Sequence, residues 1–452
     1  MFAPDYKIVL CDILTPINKN TAQFLSKQAM VLKRFPFSKG KNILGESCGY
    51  MIDNIIPEDH LIGRTVPFLK ESIEVLDARG FIAMPSFFDM HFHWVQDDVR
   101  LMPKDSLLQW LSKYTWPHEA KFNSRPYSLK KSLDFSHLLL EAGTLGGAAY
   151  GSIHGHTVDH ALSHFVGDFV VGNVLMTMNS PKNLTTSISS ALKLINEKSK
   201  KYANRYALSP RFAPTTHPEL MKKGSVIART HRNYIQTHLS ETPEEVSYVL
   251  AFFKKLKGFS NVKSYTDIYQ RCGILGPRTI MGHGIYLDDG EIKLLKKTKT
   301  AIAHCPTSNA PLKNKGLGSG LFDYKKMNRA GIRWALGSDV GGGPYLSMFD
   351  VIQSFVEQNK KSKVGATYTE GFYRASLAGA EILGMNKTRG SLKIGKEANF
   401  ILVPSPERGY NSSNKNGENI LAKIISPYAK KREKYQSLCH SVFYLGNLAY
   451  SR

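Results

Sequence analysis

The sequence predicts an α/β protein, in which a (β/α)8 TIM-type barrel is accompanied by a small β-sandwich domain built from both chain ends. Two observations predict this fold class. Short β-like runs dominate the two ends of the 452-residue chain, and strand-like segments alternate with helical periodicity between them. Alternation of this kind is typical of a parallel α/β sheet, and its repetition along the chain favours the eightfold barrel.

The β-like runs at the chain ends predict the small domain. Near the amino terminus they read YKIVLCDIL, AMVLKRF, YMIDNII and SIEVLDARGFIAMPSFFDMH, and in the tail they read GSLKIGKEANFILVPSP and SVFYLGNLAYSR. We expect residues 1–82 and 389–452 to form this domain and residues 83–388 to form the barrel. Between the two tail runs, NSSNKNGEN predicts a surface loop.

The middle of the chain supplies the alternating elements of the barrel. The predicted strands include DFVVGNVLM, NYIQTHLSE, RTIMGHGI, TAIAHCP and IRWALGSD. Helical periodicity separates them, for example in PEEVSYVLAFFKKL and DDGEIKLLKKT. These segments therefore predict successive strand–helix units of one barrel.

Composition places the chain among ordinary globular proteins with a large core. Hydrophobic residues make up 42% and charged residues 21%. No apolar run approaches the roughly 20 residues that cross a bilayer, and the first residues lack a signal-peptide pattern, so we expect neither feature. Five scattered cysteines without a C-x-x-C pair argue against disulfides and thiolate zinc sites, and favour a cytoplasmic protein.

The formal net charge of +23 has two interpretations. One is binding to nucleic acid or to an anionic surface, and the other is a set of solvated lysine-rich faces. The basic clusters EKSKKYANR, FFKKLKG and AKKREK are short and match no nucleic-acid recognition motif. We therefore favour solvated faces and expect neither a nucleic-acid partner nor a membrane partner.

Polar residues follow the predicted strands at the points where each strand ends. They are His91 and His93, then His238, His283, His304 and Asp339. The carboxyl-terminal ends of barrel strands converge on one face, where active sites of this fold lie. A single such histidine is usually a buried structural residue, but a series on successive strand ends predicts a common site.

These residue types point to metal chemistry. Three neutral imidazoles and one carboxylate suit a borderline divalent ion such as Zn²⁺, which lowers the pKa of a bound water to about 7. A general acid/base is then needed, and Glu241 follows His238 closely in THLSE. The alternative for Glu241 is a capping carboxylate at the start of the next helix.

Several motifs resemble those of a known family. PSFFDMHFH, THLSE, GHGIYL, HCPTSN and GSDVGGG resemble the hallmarks of the amidohydrolase superfamily. SLLQWLSKYTWPHEAKF, SPRFAPT and GLGSGLFDYKKMNRAGIRWALGSDVGGG are similar to its guanine deaminase branch. The resemblance implies a homodimeric hydrolase that converts guanine and water to xanthine and ammonia. It also implies one zinc per subunit, held by His91, His93, His238 and Asp339.

The same resemblance implies roles for the other site residues. Glu241 would shuttle protons, Asp339 would help to deprotonate the water, and His283 would orient the nucleophile. The purine would contact Gln96, Arg211, Phe212, His238 and Glu241. An Arg211 donor to the purine carbonyl would favour guanine over adenine.

Some features leave alternatives open. Ser86 stands where the family usually has glycine, and the bulky Trp94 follows the H-x-H, which predicts a narrower pocket or another preferred base. The alternatives are a related aminohydrolase or chlorohydrolase acting on 8-oxoguanine, cytosine or a triazine, a non-catalytic scaffold, and a nucleic-acid-binding protein.

We interpret His304 as structural and Cys305 as a small buried hydrophobe. The cluster of His154, His156, His160 and His164 is a weak candidate for a second metal site, with His156 at the pocket mouth.

Overall fold

We describe the protein from a computed structural model. It covers residues 3–38, 40–61, 72–104, 106–406 and 416–452. The chain forms an eight-stranded parallel sheet and a seven-stranded mixed sheet to which both chain ends contribute. The prediction of an α/β barrel with a small β domain built from both ends is therefore confirmed. The first five residues of the predicted loop NSSNKNGEN lie outside the described residues.

The strands fall into three groups along the chain. The first four are β1 (Tyr6–Asn18), β2 (Thr21–Pro36), β3 (Cys48–Pro57) and β4 (Ile73–Pro85). The next eight are β5 (Phe87–His93), β6 (Thr144–Gly151), β7 (Asp168–Leu175), β8 (Ala207–Pro210), β9 (Tyr234–Leu239), β10 (Thr279–His283), β11 (Ala301–His304) and β12 (Arg333–Leu336). The last three are β13 (Phe400–Pro404), β14 (Ser441–Tyr444) and β15 (Asn447–Ser451).

The mixed sheet joins the two chain ends. Its strand order is β15-β14-β13-β4-β1-β2-β3, in which β4 runs parallel to β1 and antiparallel to β13. Its core includes Ile13, Tyr50 and Phe400, all fully buried. Because β4 continues through Ser86 into the first barrel strand, this sheet anchors the strand that carries the H-x-H pair.

The parallel sheet curls into a barrel in chain order from β5 to β12. Two backbone hydrogen bonds join its first strand to the segment that follows its last strand. The amide of His93 donates to the carbonyl of Val340 at 2.7 Å, and the amide of Asp339 donates to the carbonyl of His91 at 2.7 Å. Barrel closure therefore brings the histidine pair and Asp339 together, although they are far apart in sequence.

Helices connect the barrel strands, and those from residue 348 onwards follow the last barrel strand. The longer ones are α3 (Arg125–Glu141), α4 (Gly155–His164), α5 (Ile188–Tyr202), α6 (Pro218–Thr230), α7 (Pro243–Phe253), α8 (Tyr265–Arg271), α9 (Asp289–Thr298), α11 (Tyr324–Ala330), α12 (Met348–Lys361), α13 (Tyr368–Arg374), α14 (Leu377–Ile382) and α15 (Gly417–Ile425). The short ones are α1 (Leu107–Trp110), α2 (Trp116–Glu119) and α10 (Pro306–Asn309). Among the described residues, none of these helices has the length and apolar composition that a membrane crossing requires.

The five predicted barrel strands correspond to β7, β9, β10, β11 and β12. The strands β6 and β8 were not among the predicted ones. β6 reads TLGGAAYG, in which Thr144 is the one β-branched residue and glycine and alanine fill most of the strand, and β8 is only four residues long. The two predicted helices correspond to α7 and α9, and each begins with a capping box.

Candidate active site

A cavity of about 540 Å³ opens at the carboxyl-terminal ends of the barrel strands. The predicted site residues that line it are His93, Gln96, Arg211, Phe212, His238, Glu241, His283 and Asp339. The remaining one, His91, is fully buried beside them. The structure therefore brings together all the residues that the sequence assigned to one site.

Four of these side chains converge on a single point. Candidate ligand atoms of His91, His93, His238 and Asp339 all lie within 4.8 Å of one another. The Nε2 atoms of His93 and His238 are 3.1 Å apart, and His91 Nε2 lies 3.3 Å from Asp339 Oδ1. Such distances are those expected of ligands that share one cation.

The protonation states of the histidines fit a metal as well. Burial lowers the pKa of His91, His93 and His238 well below the ordinary value, so their rings are neutral at physiological pH. His238 Nδ1 donates to the carbonyl of Arg211 at 2.7 Å, which leaves its Nε2 lone pair free. Neither ring nitrogen of His91 has a hydrogen-bond partner among the described residues. Buried, unpartnered nitrogen acceptors beside a carboxylate fit a divalent metal.

Glu241 lies next to this group with one carboxylate oxygen held by a hydrogen bond. Ser319 Oγ donates to Glu241 Oε1 at 2.8 Å, and Oε2 lies 3.5 Å from His283 Nε2. Burial, and secondarily the nearby charge of Asp339, raises the pKa of Glu241 to about 8. A carboxyl group with a pKa near neutrality can both accept and donate a proton during one reaction cycle.

The alternative role of Glu241 as a helix cap is wrong. Helix α7 is capped by Thr242, whose hydroxyl accepts from the Glu245 amide at 3.1 Å. Glu245 completes the capping box and accepts from the Glu241 amide at 2.7 Å. The carboxylate of Glu241 is therefore free to point into the cavity, while its backbone is fixed by the helix start.

Three residues at the strand ends adopt left-handed backbone conformations. They are Ser240 (φ 50°), His283 (φ 68°) and Asp339 (φ 49°). Such conformations cost about 1–3 kcal/mol each in non-glycine residues and cluster at functional sites. At Gly282 the close approach of His91 leaves no room for a side chain, because a Cβ atom would lie 2.5 Å from the imidazole. The backbone is thus shaped to aim these side chains at one point.

The predicted purine-contacting residues also line the cavity. Gln96 and Arg211 are almost fully buried, and Phe212 is partly exposed to the cavity. Both polar side chains bind one carboxylate, that of Glu119, at 2.7 Å each. Glu119 has no predicted role, because nothing local in WPHE shows that it lies beside residues 23 and 92 positions away.

Trp94 does not narrow the cavity, so that expectation is wrong. Its side chain is buried against Phe122 and Phe165, with ring centroids 5.2 and 5.8 Å away, and it does not line the cavity. Side chains alternate along β5, so Trp94, like Phe92, points away from the side on which His91 and His93 lie. His304 stacks on Phe322 at 4.5 Å as a buried structural residue, in agreement with its interpretation.

The histidine cluster on α4 binds the neighbouring helix rather than the cavity. His156 Nε2 lies 2.7 Å from the carbonyl of Phe122, and the rings of His160 and His164 bind serine hydroxyls of α3. His156 does not line the cavity mouth, contrary to expectation.

Cys305 is buried, and desolvation raises the pKa of its thiol well above the ordinary value. It does lie within 4.8 Å of ligand atoms of His283 and Asp339.

The fold and the site together define a class of protein: a barrel hydrolase with a histidine and aspartate metal site. A sequence model of the amidohydrolase family matches residues 82–425. The chain belongs to the amidohydrolase family.

Known relatives narrow this class. The guanine deaminase of Escherichia coli K12 is 31% identical over 343 residues, covering 74% of this chain and 76% of that protein. The guanine deaminase of Mus musculus is 31% identical over 382 residues, covering 76% of this chain and 82% of that protein. The predicted resemblance to the guanine deaminase branch of the family is confirmed.

Solved structures of guanine deaminases have the same fold. The structure of the E. coli guanine deaminase superposes with a TM-score of 0.83 at 25% identity, covering 99% of this chain and 100% of that one. The guanine deaminase of C. acetobutylicum, with guanine bound in its active site, superposes with a TM-score of 0.78 at 25% identity. That comparison covers 98% of this chain and 100% of the other.

Proposed function

We propose that this protein catalyses the zinc-dependent hydrolytic deamination of guanine to xanthine and ammonia. One observation carries the proposal: a single cavity is lined by residues of the metal-ligand group and by Gln96 and Arg211. The metal-ligand group suits hydrolysis, and Gln96 and Arg211 suit recognition of a flat base with polar edges. Membership of the guanine deaminase branch supports guanine as that base.

The metal ligands are proposed to be His91, His93, His238 and Asp339, with one Zn²⁺ per subunit. When bound there, Zn²⁺ supplies Lewis acidity and lowers the pKa of water at the site. The support is the neutral imidazole set and its unpartnered nitrogens.

The proton transfers are proposed for the carboxylates of the chain. Asp339 takes a proton from the attacking water at its Oδ2 side, which lies 4.0 Å from His283 Nε2. His283 orients that water, since its Nε2 has no hydrogen-bond partner among the described residues. Glu241 gives a proton to a ring nitrogen of the purine, receives the proton that Asp339 took from the water, and passes it to the departing amino group. The hydroxyl group at C2 then returns a proton to Glu241 as the carbonyl of xanthine forms. The Glu241 pKa of about 8 suits both directions of transfer near neutral pH.

The base is proposed to lie against Phe212 with its polar edge towards Gln96 and Arg211. Losing a carbonyl partner would leave the Arg211 guanidinium buried without that hydrogen bond, which disfavours bases that lack the carbonyl. His238 and Glu241 line the same cavity.

The remaining expectations are part of the proposal. The protein is proposed to be a cytoplasmic homodimer without nucleic-acid or membrane partners. Its chain is proposed to divide into residues 1–82 and 389–452 for the small β domain and residues 83–388 for the barrel. Five buried cysteines with free thiols support a reducing compartment. The homodimer rests on the family resemblance, and the membership of the strands in two sheets supports the domain division.

The experiment that tests the proposal is a product assay on a panel of free bases. Zinc-loaded protein is incubated with guanine, adenine, 8-oxoguanine, cytosine and an aminotriazine, and released ammonia and the product base are quantified together. We expect xanthine and ammonia in equal amounts from guanine, with guanine the preferred substrate. Higher kcat/KM on another base would replace guanine in the proposal, and absence of activity on all of them would overturn the enzymatic function.

A further inference from the structure

A fully buried carboxylate connects the two polar side chains that face the base. Glu119 ends helix α2 and has no exposed surface, while Gln96 and Arg211 are 2% and 4% exposed. Gln96 Nε2 donates to Glu119 Oε1 at 2.7 Å, and Arg211 Nη1 donates to Glu119 Oε2 at 2.7 Å. Glu119 does not line the cavity itself. It therefore acts on any bound base only through these two neighbours.

The carboxylate fixes which end of the Gln96 amide is available. A glutamine amide offers two N–H donors and one carbonyl acceptor, and its two ends can exchange by rotation. An ionised carboxylate only accepts hydrogen bonds, so it holds the NH₂ end of Gln96 and leaves Oε1 as the acceptor for the cavity. Arg211 contributes donors only, and one of them is held by Glu119. The wall therefore presents a donor and an acceptor in a fixed arrangement.

This arrangement matches one class of 2-aminopurine. In guanine, the acceptor at position 6 lies beside the N1–H donor. In 2,6-diaminopurine, which keeps the same leaving amino group, position 6 carries a donor and N1 is an acceptor. We propose that Glu119 is a positioning residue that selects 6-oxo over 6-amino 2-aminopurines by fixing Gln96 and Arg211, an inference that rests on the proposed function.

A neutral side chain at position 119 cannot impose the same arrangement. In Glu119→Gln, the new amide can donate to Gln96 Oε1 as well as accept from Nε2, so the Gln96 amide is free to turn round. Arg211 also loses its buried counter-charge. Both changes remove the distinction between the two purines without removing a residue that touches either one.

The test measures kcat and KM for guanine and for 2,6-diaminopurine on zinc-loaded wild type, Glu119→Gln and Glu119→Asp. We expect wild type to prefer guanine and Glu119→Gln to lose at least about 100-fold of the preference, mostly through a higher KM for guanine. Glu119→Asp keeps the charge but is too short to reach both partners, so we expect an intermediate ratio.

The matched control is Glu291→Gln, which makes the same change at a buried carboxylate outside the cavity. Glu291 accepts from the amide and hydroxyl of Thr266 at 3.0 and 2.8 Å. We expect its substrate ratio to equal that of wild type. Zinc content is measured for every variant, so that loss of the metal is separated from loss of selectivity.

The outcomes distinguish this inference from the proposed function. Wild type that forms no xanthine overturns the proposed function and the inference with it. Active wild type with an unchanged substrate ratio in Glu119→Gln overturns the inference alone. If Glu119→Gln does not fold, Glu119→Asp decides, and a wild-type ratio in that variant contradicts the inference.

Discussion

At the residue scale, the site combines buried groups whose pKa values differ from those in water. Burial keeps the histidines neutral and raises the pKa of Glu241 to about 8. Perturbed groups of this kind cluster where proton transfer is needed. The sequence indicated these residues because each follows a predicted strand, and strand ends converge in a barrel.

Glu241→Gln tests the proton transfer directly. The amide keeps the size and the contact with Ser319 but cannot exchange a proton, so we expect kcat on guanine to fall by about 10²–10⁴-fold. Zinc content is expected to stay unchanged, because Glu241 is not among the proposed ligands. Glu219→Gln, the same change at an exposed residue of α6 that does not line the cavity, is the control and is expected to keep its kcat. A kcat for Glu241→Gln close to that of wild type would contradict the assigned role.

Other parts of the site could not be predicted from the sequence at this scale. Glu119 and its partners are connected only by the folded barrel, and no spacing in the chain encodes that connection. Trp94 was expected near the base because it adjoins His93, but its side chain lies in the core against Phe122 and Phe165. Neighbouring residues of a strand point to opposite faces, so a residue that adjoins a site histidine in sequence lies away from the site.

At the element scale, the ends of strands and starts of helices position the chemistry. Helix α7 begins one residue after its cap, Thr242, and its capping box also binds the amide of Glu241. Strong local signals of this type made α7 and α9 predictable. β6 and β8 were missed because glycine, alanine and short length give no strand signal, although the barrel requires both strands.

Thr242→Ala tests the contribution of this helix start. Loss of the cap is expected to lower the free energy of unfolding by about 1 kcal/mol, measured by urea denaturation. We also expect kcat on guanine to fall, because the capping box fixes the backbone beside Glu241.

The matched control is Ser187→Ala, which removes the cap of α5 far from the cavity. It is expected to cost similar stability and to leave kcat unchanged. Equal loss of kcat in both variants would show that the helix start has no specific role in the site.

At the scale of the whole molecule, the barrel buries an unusual number of carboxyl groups with raised pKa values around one site. Burial raises the pKa of Asp89 to about 7, of Glu245 to about 7 and of Glu241 to about 8. A group with a pKa raised by folding stabilises the protein at low pH, and this stability is lost as pH rises through the folded-state pKa. A histidine whose pKa is lowered by folding has the opposite effect: it destabilises the folded protein at low pH, but only below about pH 6.5.

The metal-free protein is therefore expected to lose stability between about pH 6.5 and 8. Each carboxyl group that is protonated in the folded protein but ionised in the unfolded chain lowers the free energy of unfolding by up to about 1.4 kcal/mol per pH unit. Bound zinc favours the ionised carboxylates and adds binding energy to the folded state, so the zinc-loaded protein should show a flatter profile and a higher Tm. Urea denaturation at several pH values, with zinc and after chelation, measures both. A metal-free profile that rises over this window would contradict the account.

The most direct test of the central claim is a hydrolysis in ¹⁸O-labelled water. Zinc-loaded protein is incubated with guanine, and the product is analysed by mass spectrometry alongside the released ammonia. The account predicts xanthine carrying one ¹⁸O atom at C2, with one ammonia per xanthine, and no product with Glu241→Gln over the same time. Absence of xanthine, or xanthine without the label, would contradict hydrolytic deamination of guanine by this protein.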